Sequence, residues 1–413
     1  MTTETWVWMH LPGDLKPTLC GVVRHDGRVG RFVYGRSYLA LRNAVPIDPI
    51  ALPLQEKEYA TAHLGGWFSA LLDSGPDAWG QRLIDRSVGP QDQRGHLLHA
   101  YGEPVGALTF SAVAATPPQA GSASTIQSLA NILELHARVE AGEALSPAQT
   151  KQLLGQAGTG GARPKLSVQD GGMLWLVKGV SARDKADLAP VPIVEAALLS
   201  LAQELDIQST SARLEVISSN AVVMVPRFDR VAVEGGFARR RYASAQTLLW
   251  SEPEVARWSY QGSYLNLARR LSKWEASPAD DIRELYRRLV FNALVGNLDD
   301  HEKNHGVVAG AEGRFRLSPV FDLSITATAG ERQMLSMPFG KEGAVITFEN
   351  LLSDCAAFGY ERADAEVLVR GQWAHLKKHA LARLVRLGCD EARAARTTAL
   401  MPGHRVFADI RRS

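Results

Sequence analysis

The sequence has 413 residues, 46% of them hydrophobic and 22% charged, with 36 glycines and 20 prolines; this is the composition of a packed globular protein of two or three domains and excludes wholesale disorder. Lysine and arginine number 46 against 44 for aspartate and glutamate, too small an excess to make nucleic-acid binding a property of the whole surface. Cys20, Cys355 and Cys389 are odd in number and far apart, which fits neither a disulfide framework nor a cysteine-rich zinc module and suits a reducing cytoplasm.

The N-terminus lacks a basic stretch followed by an apolar run, and no apolar segment approaches the roughly 18 residues of a membrane span. The expectation is a cytoplasmic protein without a membrane partner. From Thr5 to Tyr34 short β-rich runs alternate with turn signals, and Asp26-Gly27 reads as a hairpin turn. Between Glu58 and Ala107 the spacing of Leu71, Leu72, Trp79 and Leu83 predicts short helices, broken at Gly75-Pro76 and Gly89-Pro90. Residues 1–113 therefore read as a small mixed β/α module, and Ala114 to Ser124, rich in Pro, Gly, Ala and Ser, as a surface connection.

Thr125 to Leu154 reads helical, and Lys165 to Gly179 reads as a hairpin turning at Asp170-Gly171-Gly172. A helix is expected from about Val194 to Leu205, then an apolar strand, Ala221 to Val225, ending in Pro226-Arg227-Phe228-Asp229-Arg230. Ser277-Pro278-Ala279-Asp280 has the serine, proline and acid of a helix start, and Ile282, Leu285, Leu289 and Ala293 continue at helical spacing to about Gly296. Asp364 to Leu387 is a further helix with many basic residues, read as a solvated face.

Two chemistries can be read from the polar stretch Gly296 to His305. In phosphoryl transfer an aspartate accepts the proton of the attacking hydroxyl and an asparagine five positions on binds magnesium; Asp299 and Asn304 have that separation, and Phe321-Asp322-Leu323 supplies a second metal-binding aspartate. Magnesium alone leaves most of a triphosphate's charge unbalanced. Lys178, at the end of an apolar strand, can bring an ammonium to phosphate oxygens, and Glu195 in the next helix can fix its rotamer. Just upstream, Gly158-Thr159-Gly160-Gly161-Ala162-Arg163-Pro164-Lys165 has the glycines that let successive N–H groups face an anion. The second chemistry is zinc hydrolysis, because His301-Glu302-Lys303-Asn304-His305 matches H-E-x-x-H. That motif needs a helix of two turns, whereas the preceding helix should stop at Gly296-Asn297 and a β-hairpin should begin at Gly306.

These residues carry a resemblance. GTGGARPK, the strand ending in Lys178, Pro226 to Arg230, Asn297 to Asn304, Pro319-Val320-Phe321-Asp322 and Leu72 to Ile84 together resemble the HipA family of bacterial serine/threonine kinases, the toxins of type II toxin–antitoxin pairs. The resemblance implies an α+β, two-lobed, protein-kinase-like fold: an N-terminal β-rich module over residues 1–113, an N-lobe-like part over 125–249 and a mainly helical C-lobe over 250–413. It implies ATP and Mg2+, with Asp299 as catalytic base and Asn304 and Asp322 as metal ligands. The nucleotide would be met by Gly160, Gly161, Ala162, Arg163, Pro164, Lys165 and Lys178. Pro226, Arg227 and Phe228 would form the hinge beside adenine, with Phe321 nearby and His301 at the γ-phosphate. The acceptor implied is a protein hydroxyl, an aminoacyl-tRNA synthetase being the usual class, and a small helix-turn-helix antitoxin would supply most of the DNA contacts. Family members often carry a self-phosphorylated serine where this chain has Gly158, which leaves Thr159 as the nearest hydroxyl. The common Gln-Glu-Asp stretch is replaced by Tyr242-Ala243-Ser244-Ala245-Gln246, resembling a divergent branch. The contrasting reading is a pseudokinase-like, DNA-bound repressor partner.

Overall fold

The computed structural model describes residues 3–100, 103–118, 123–154, 165–181, 184–250, 262–274, 278–310, 313–326 and 333–409. Strands β1 (Thr3–Met9), β2 (Thr18–His25) and β3 (Gly30–Tyr34) form an antiparallel meander. Its second turn is the expected Asp26-Gly27: Gly27 has φ +98°, a left-handed value that glycine adopts without penalty, and the Asp26 carboxylate accepts from the amides of Arg28 and Val29. Beyond the short helix α1 (Arg36–Leu39), β4 (Glu58–Thr61) pairs with β3. Helices α2 (Ser69–Leu72), α3 (Ala78–Val88) and α4 (Gln93–Leu98) follow, and β5 (Leu108–Ser111) returns to pair with β1. Alternating residues such as Val7 and Met9 face one core with Val23, Phe32 and Leu71.

The next layer begins with β6 (Ser124–Thr125) and helices α5 (Leu129–Glu140) and α6 (Pro147–Leu154). The hairpin β7 (Lys165–Asp170) and β8 (Met173–Gly179) turns where the glycines predict, with Gly171 and Gly172 both at positive φ. After helix α7 (Val191–Glu204), β9 (Arg213–Ile217) and β10 (Asn220–Pro226) complete a sheet ordered β6-β7-β8-β10-β9. Trp79, Leu83 and Ile84 of α3 pack against this sheet, with Leu129 and Ile132 of α5 and Leu166 and Val168 of β7. The N-terminal segment is thereby interlocked with the layer that follows it. Helix α7 is apolar nearly all round, as a buried helix should be, and Ile193 through Leu199 are all buried, Glu195 included.

A hairpin of β11 (Arg230–Val233) and β12 (Gly236–Arg239) leads to β13 (Tyr242–Ser244) and α8 (Ala245–Trp250). Helices α9 (Tyr264–Trp274) and α10 (Pro278–Val295) come next, then β14 (Gly306–Ala309) and β15 (Phe315–Leu317), which join β13 in one small sheet. Helix α10 begins as predicted at Pro278, with Asp280 and Asp281 in its first turn, and ends where Gly296 takes φ +80°. The chain closes with α11 (Phe348–Ser353), α12 (Arg362–Arg386), α13 (Glu391–Ala399) and α14 (Gly403–Asp409). These pack, together with α7 to α10, around the largest apolar core. Among the described residues no helix is long and apolar enough to cross a membrane.

One buried polar cluster fastens the N-terminal module to the rest. Asp229 accepts from Arg227 (3.0 and 2.7 Å), from Arg230 (2.7 Å) and from the amide of Gly106 (2.9 Å). Arg227 also donates to the Glu103 carbonyl (2.8 Å), and Arg230 to the Pro104 carbonyl (2.6 Å). A second fastening uses Asp73, which accepts from the Ser244 amide (2.7 Å), the Ser244 hydroxyl (2.6 Å) and the Thr247 hydroxyl (2.8 Å). Burial works against the charged form of Asp229, but Arg227 and Arg230 outweigh it and hold the carboxyl far below the usual range. Its native value is depressed, so the stability it contributes is complete above the unfolded carboxyl's range and is lost as pH falls through the native value. Replacing Asp229 by Ala leaves two buried guanidiniums without their shared partner and should cost about 3–5 kcal/mol in urea unfolding; a cost below about 1 kcal/mol would show that the cluster does not hold the module in place.

Candidate active site

The register of β7 and β8 sets the site. Lys165 and Lys178 are direct cross-strand partners, so their side chains leave the same face of the sheet side by side. Like charges in that position repel, and the structure answers with two carboxylates. Asp322 accepts from Lys178 at 2.8 Å through one oxygen and from Lys165 at 3.3 Å through the other. Glu195, reaching in from α7, accepts from Lys178 at 2.5 Å. Burial opposes the ammonium of Lys178, but Asp322 and Glu195 raise its pKa above the ordinary lysine value. Burial likewise opposes the Asp322 carboxylate, and Lys165 and Lys178 overcome it, holding the group well below the usual range. For Glu195 burial is the largest influence and pushes its carboxyl up, with Lys178 pulling back.

Asp322 holds this position at a cost, because its φ of +58° is left-handed. Aspartate tolerates that region better than most residues, and such strain gathers at functional sites. The neighbouring Phe321 ring meets Phe228 (centroids 5.7 Å apart), which also touches Tyr242 (6.0 Å).

The second half of the site is the turn after α10. Asp299 is exposed, whereas Asp300 is buried. The Asn304 side-chain amide donates to the Asp299 carbonyl at 2.8 Å, which fixes the loop and leaves the amide oxygen of Asn304 as its remaining polar atom. Asp300 and His305 are only 1% exposed, and Nε2 of His305 lies 2.7 Å from Asp300. Tyr264 of α9 donates to the other Asp300 oxygen. Asn292 bridges from Tyr264 to Asn297 (3.5 and 3.3 Å), and Ser324 donates to Asn297 at 3.0 Å. This buried chain ties the Asp299 turn to the segment after Asp322.

The H-E-x-x-H reading does not survive this geometry. Residues Glu302–Asn304 make a single 3-10 turn and His305 is extended, so the two imidazoles share no helical face. Nδ1 of His301 accepts from the amide of Lys303 (3.2 Å), while His305 is paired with Asp300.

Asp299, Asn304, Asp322, Lys178, Lys165 and Glu195 line one cavity of about 320 Å³. Its far wall comes from the segment before α7, from Ser324 to Thr326, and from Thr397 of α13. The sequence gives no signal for Thr397, because the contact depends on how a distant helix docks. Pro226, Arg227 and Phe228 do not line this cavity. The Arg227 side chain is taken up by the buried cluster around Asp229, and its amide donates to the Leu174 carbonyl at 2.9 Å; neither is left to face a base. His301 is half-buried beside the cavity-lining turn. Thr159, Gly160, Gly161, Ala162, Arg163 and Pro164 lie outside the described residues.

A family model described as the HipA-like C-terminal domain matches residues 157–383, more than half of the chain. The chain belongs to the HipA family. A second model, described as the HipA N-terminal domain, matches residues 14–111. In overall structure the chain is similar to HipA of Shewanella oneidensis MR-1, solved with HipB and its operator DNA: the TM-score is 0.67 at 18% identity, covering 98% of this chain and 97% of that one. A putative kinase of Sinorhizobium fredii (strain NBRC 101917 / NGR234), Y4mE, is 26% identical over 340 residues, 77% of each protein. The Helicobacter pylori proinflammatory kinase CtkA shows a looser likeness, with a TM-score of 0.42 at 11% identity over 60% of this chain and 95% of that one. The HipA-type architecture expected from the sequence, with a β-rich N-terminal region and a helical C-terminal part, is present.

The Lys178–Glu195 pair has a stability signature. Lys178→Met should cost about 3–5 kcal/mol, because it strands the buried Glu195 carboxylate, whereas Asp322 keeps Lys165. Replacing both partners with Lys178→Met and Glu195→Leu should cost less than Lys178→Met alone, since an apolar pair leaves no orphaned charge. Urea unfolding of the three proteins checks this, and additive losses would contradict the coupling.

Proposed function

We propose that this HipA-family chain is an ATP- and magnesium-dependent serine/threonine protein kinase. The observation that supports this most directly is the meeting of Lys178, Glu195 and Asp322 with Asp299 and Asn304 around a single cavity. The residues suit a hard divalent cation: Asp322 offers carboxylate oxygens and Asn304 an amide oxygen, the donor types that magnesium prefers. When bound, that ion would offset charge on the phosphate oxygens. Lys178, held by Glu195, presents a fixed ammonium to the phosphates, and Lys165 beside it adds a second. Asp299, exposed at the cavity, accepts the proton of the acceptor hydroxyl as the hydroxyl oxygen bonds to the γ-phosphorus and the bond to the leaving ADP oxygen breaks. In this reading His301 would stand at the γ-phosphate, the Gly160 to Pro164 stretch would follow the phosphates, and Pro226 and Phe228, with Phe321, would lie towards the adenine side, while Arg227, taken up by the Asp229 cluster, would not read the base.

In this reading the protein is the cytoplasmic toxin of a toxin–antitoxin pair. Its partner is a small helix-turn-helix antitoxin through which it meets DNA, and its substrate is a translation-related protein such as an aminoacyl-tRNA synthetase. The family membership and the HipA–HipB–operator assembly of its structural relative support the antitoxin. Thr159 is the nearest hydroxyl in sequence to Gly158, where the family often carries its self-phosphorylated serine, and a phosphate on it would bring nearly two negative charges to the phosphate-side loop; with glycine there, the expectation is a kinase that stays competent for nucleotide unless Thr159 substitutes.

Asp299→Ala should lower phosphate transfer from ATP by roughly 100-fold or more while leaving ATP binding nearly intact. Asp322→Ala should instead lose magnesium-dependent nucleotide affinity. Near-normal transfer by the first variant would remove Asp299 as base, and an unchanged magnesium titration would remove Asp322 as ligand. A wild-type protein that binds ATP without transferring phosphate would favour the repressor-partner reading.

A further inference from the structure

Helix α13 lies beyond the residues 157–383 that match the HipA-like C-terminal family model, yet it reaches the cavity through Thr397. Three residues on one of its faces, at i, i+3 and i+4 spacing, grip three consecutive residues that lead into α7. Nε of Arg396 donates to the Asp187 carbonyl at 2.7 Å, Nε of Arg393 to the Leu188 carbonyl at 2.7 Å, and the Thr397 hydroxyl accepts from the Ala189 amide at 2.8 Å. The same hydroxyl donates to the Arg393 carbonyl at 2.8 Å, so its orientation is fixed. Helix α7 has no side-chain cap of its own at Pro190, and α13 instead holds the three residues that precede it. At the other end of α7, Glu204 accepts from Arg383 (2.5 Å) and pairs with His375 (2.9 Å), both on α12.

Helix α7 carries Glu195, and in kinases the lysine–glutamate pair must be in place for transfer; moving this helix is a common means of control. We propose that Arg393, Arg396 and Thr397 are positioning residues: by fixing the entry to α7 they set Glu195 against Lys178, so that phosphate transfer depends on the docking of the C-terminal helix α13. The proposal rests on the kinase reading above. It makes α13 a brace for the helix that carries Glu195.

The test uses the full-length protein with Thr397→Val, which keeps the side chain's shape but removes the oxygen that meets the Ala189 amide. Loss of one buried hydrogen bond on this path should lower kcat for phosphate transfer about tenfold, with the KM for ATP within about twofold. Thr397→Ser should restore it. In a Glu195→Gln background, Thr397→Val should cost less than about twofold, because the pair it positions is already impaired. A Thr397→Val protein as active as wild type, or one whose loss is the same in both backgrounds, overturns the proposal. Hydrogen exchange at α7 separates this from a failure of the kinase reading: Thr397→Val should speed exchange in the first turns of α7 even in a protein that transfers no phosphate, and unchanged protection there overturns the brace on its own.

Discussion

Two ammonium groups held side by side on neighbouring strands would push a sheet apart, and the fold keeps Lys165 and Lys178 in that register because Asp322 and Glu195 balance them. Much of the molecule serves this balance. The β7–β8 hairpin delivers the lysines, the largely buried helix α7 delivers Glu195, and a strained left-handed backbone delivers Asp322. A buried ion cluster of this kind adds little to stability compared with an apolar core of the same volume. Its value is positional, since each charge has one geometry in which it is satisfied.

The same logic runs through the lower half of the site. Asp300, His305, Tyr264, Asn292, Asn297 and Ser324 form a buried polar chain between the Asp299 turn and the Asp322 segment. None of these residues needs to meet substrate to matter. They make the distance between the two acidic ends of the site a property of the core, because each hydrogen-bonded side chain fixes the next. Around the site, the Asp229 and Asp73 clusters join the N-terminal module to the hairpin β11–β12 and to α8, so the module is part of the frame that holds the candidate site.

Local pattern made much of this legible. The apolar strand ending in Lys178, the helix start at Pro278 and its stop at Gly296, and the spacing of Asp299 and Asn304 are all short-range signals, and each corresponds to a single element or turn in the structure. Neighbouring acids were harder to tell apart by pattern: only the fold shows that Asp299 faces outward while Asp300 turns in to His305. Arg227 illustrates the limit. Next to Pro226 and Phe228 it reads as part of a hinge, but its partners Glu103 and Pro104 belong to the N-terminal module, and no local period announces them. The histidines of H-E-x-x-H mislead for a similar reason, since the motif presumes a helix that Gly296 has already ended. Thr397 carries no motif at all, and Asp73 sits within the Leu72 to Ile84 stretch without any sign of its partners Ser244 and Thr247; both roles arise from docking between segments distant in sequence.

The most direct test of this account is a crystal structure of the protein with magnesium and a non-hydrolysable ATP analogue. The account predicts the triphosphate in the cavity, with the metal held between Asn304 and Asp322, Lys178 on a phosphate oxygen, and the Lys178–Glu195 pair retained. A nucleotide bound away from these residues, or a metal held instead by His301 and His305, would contradict it.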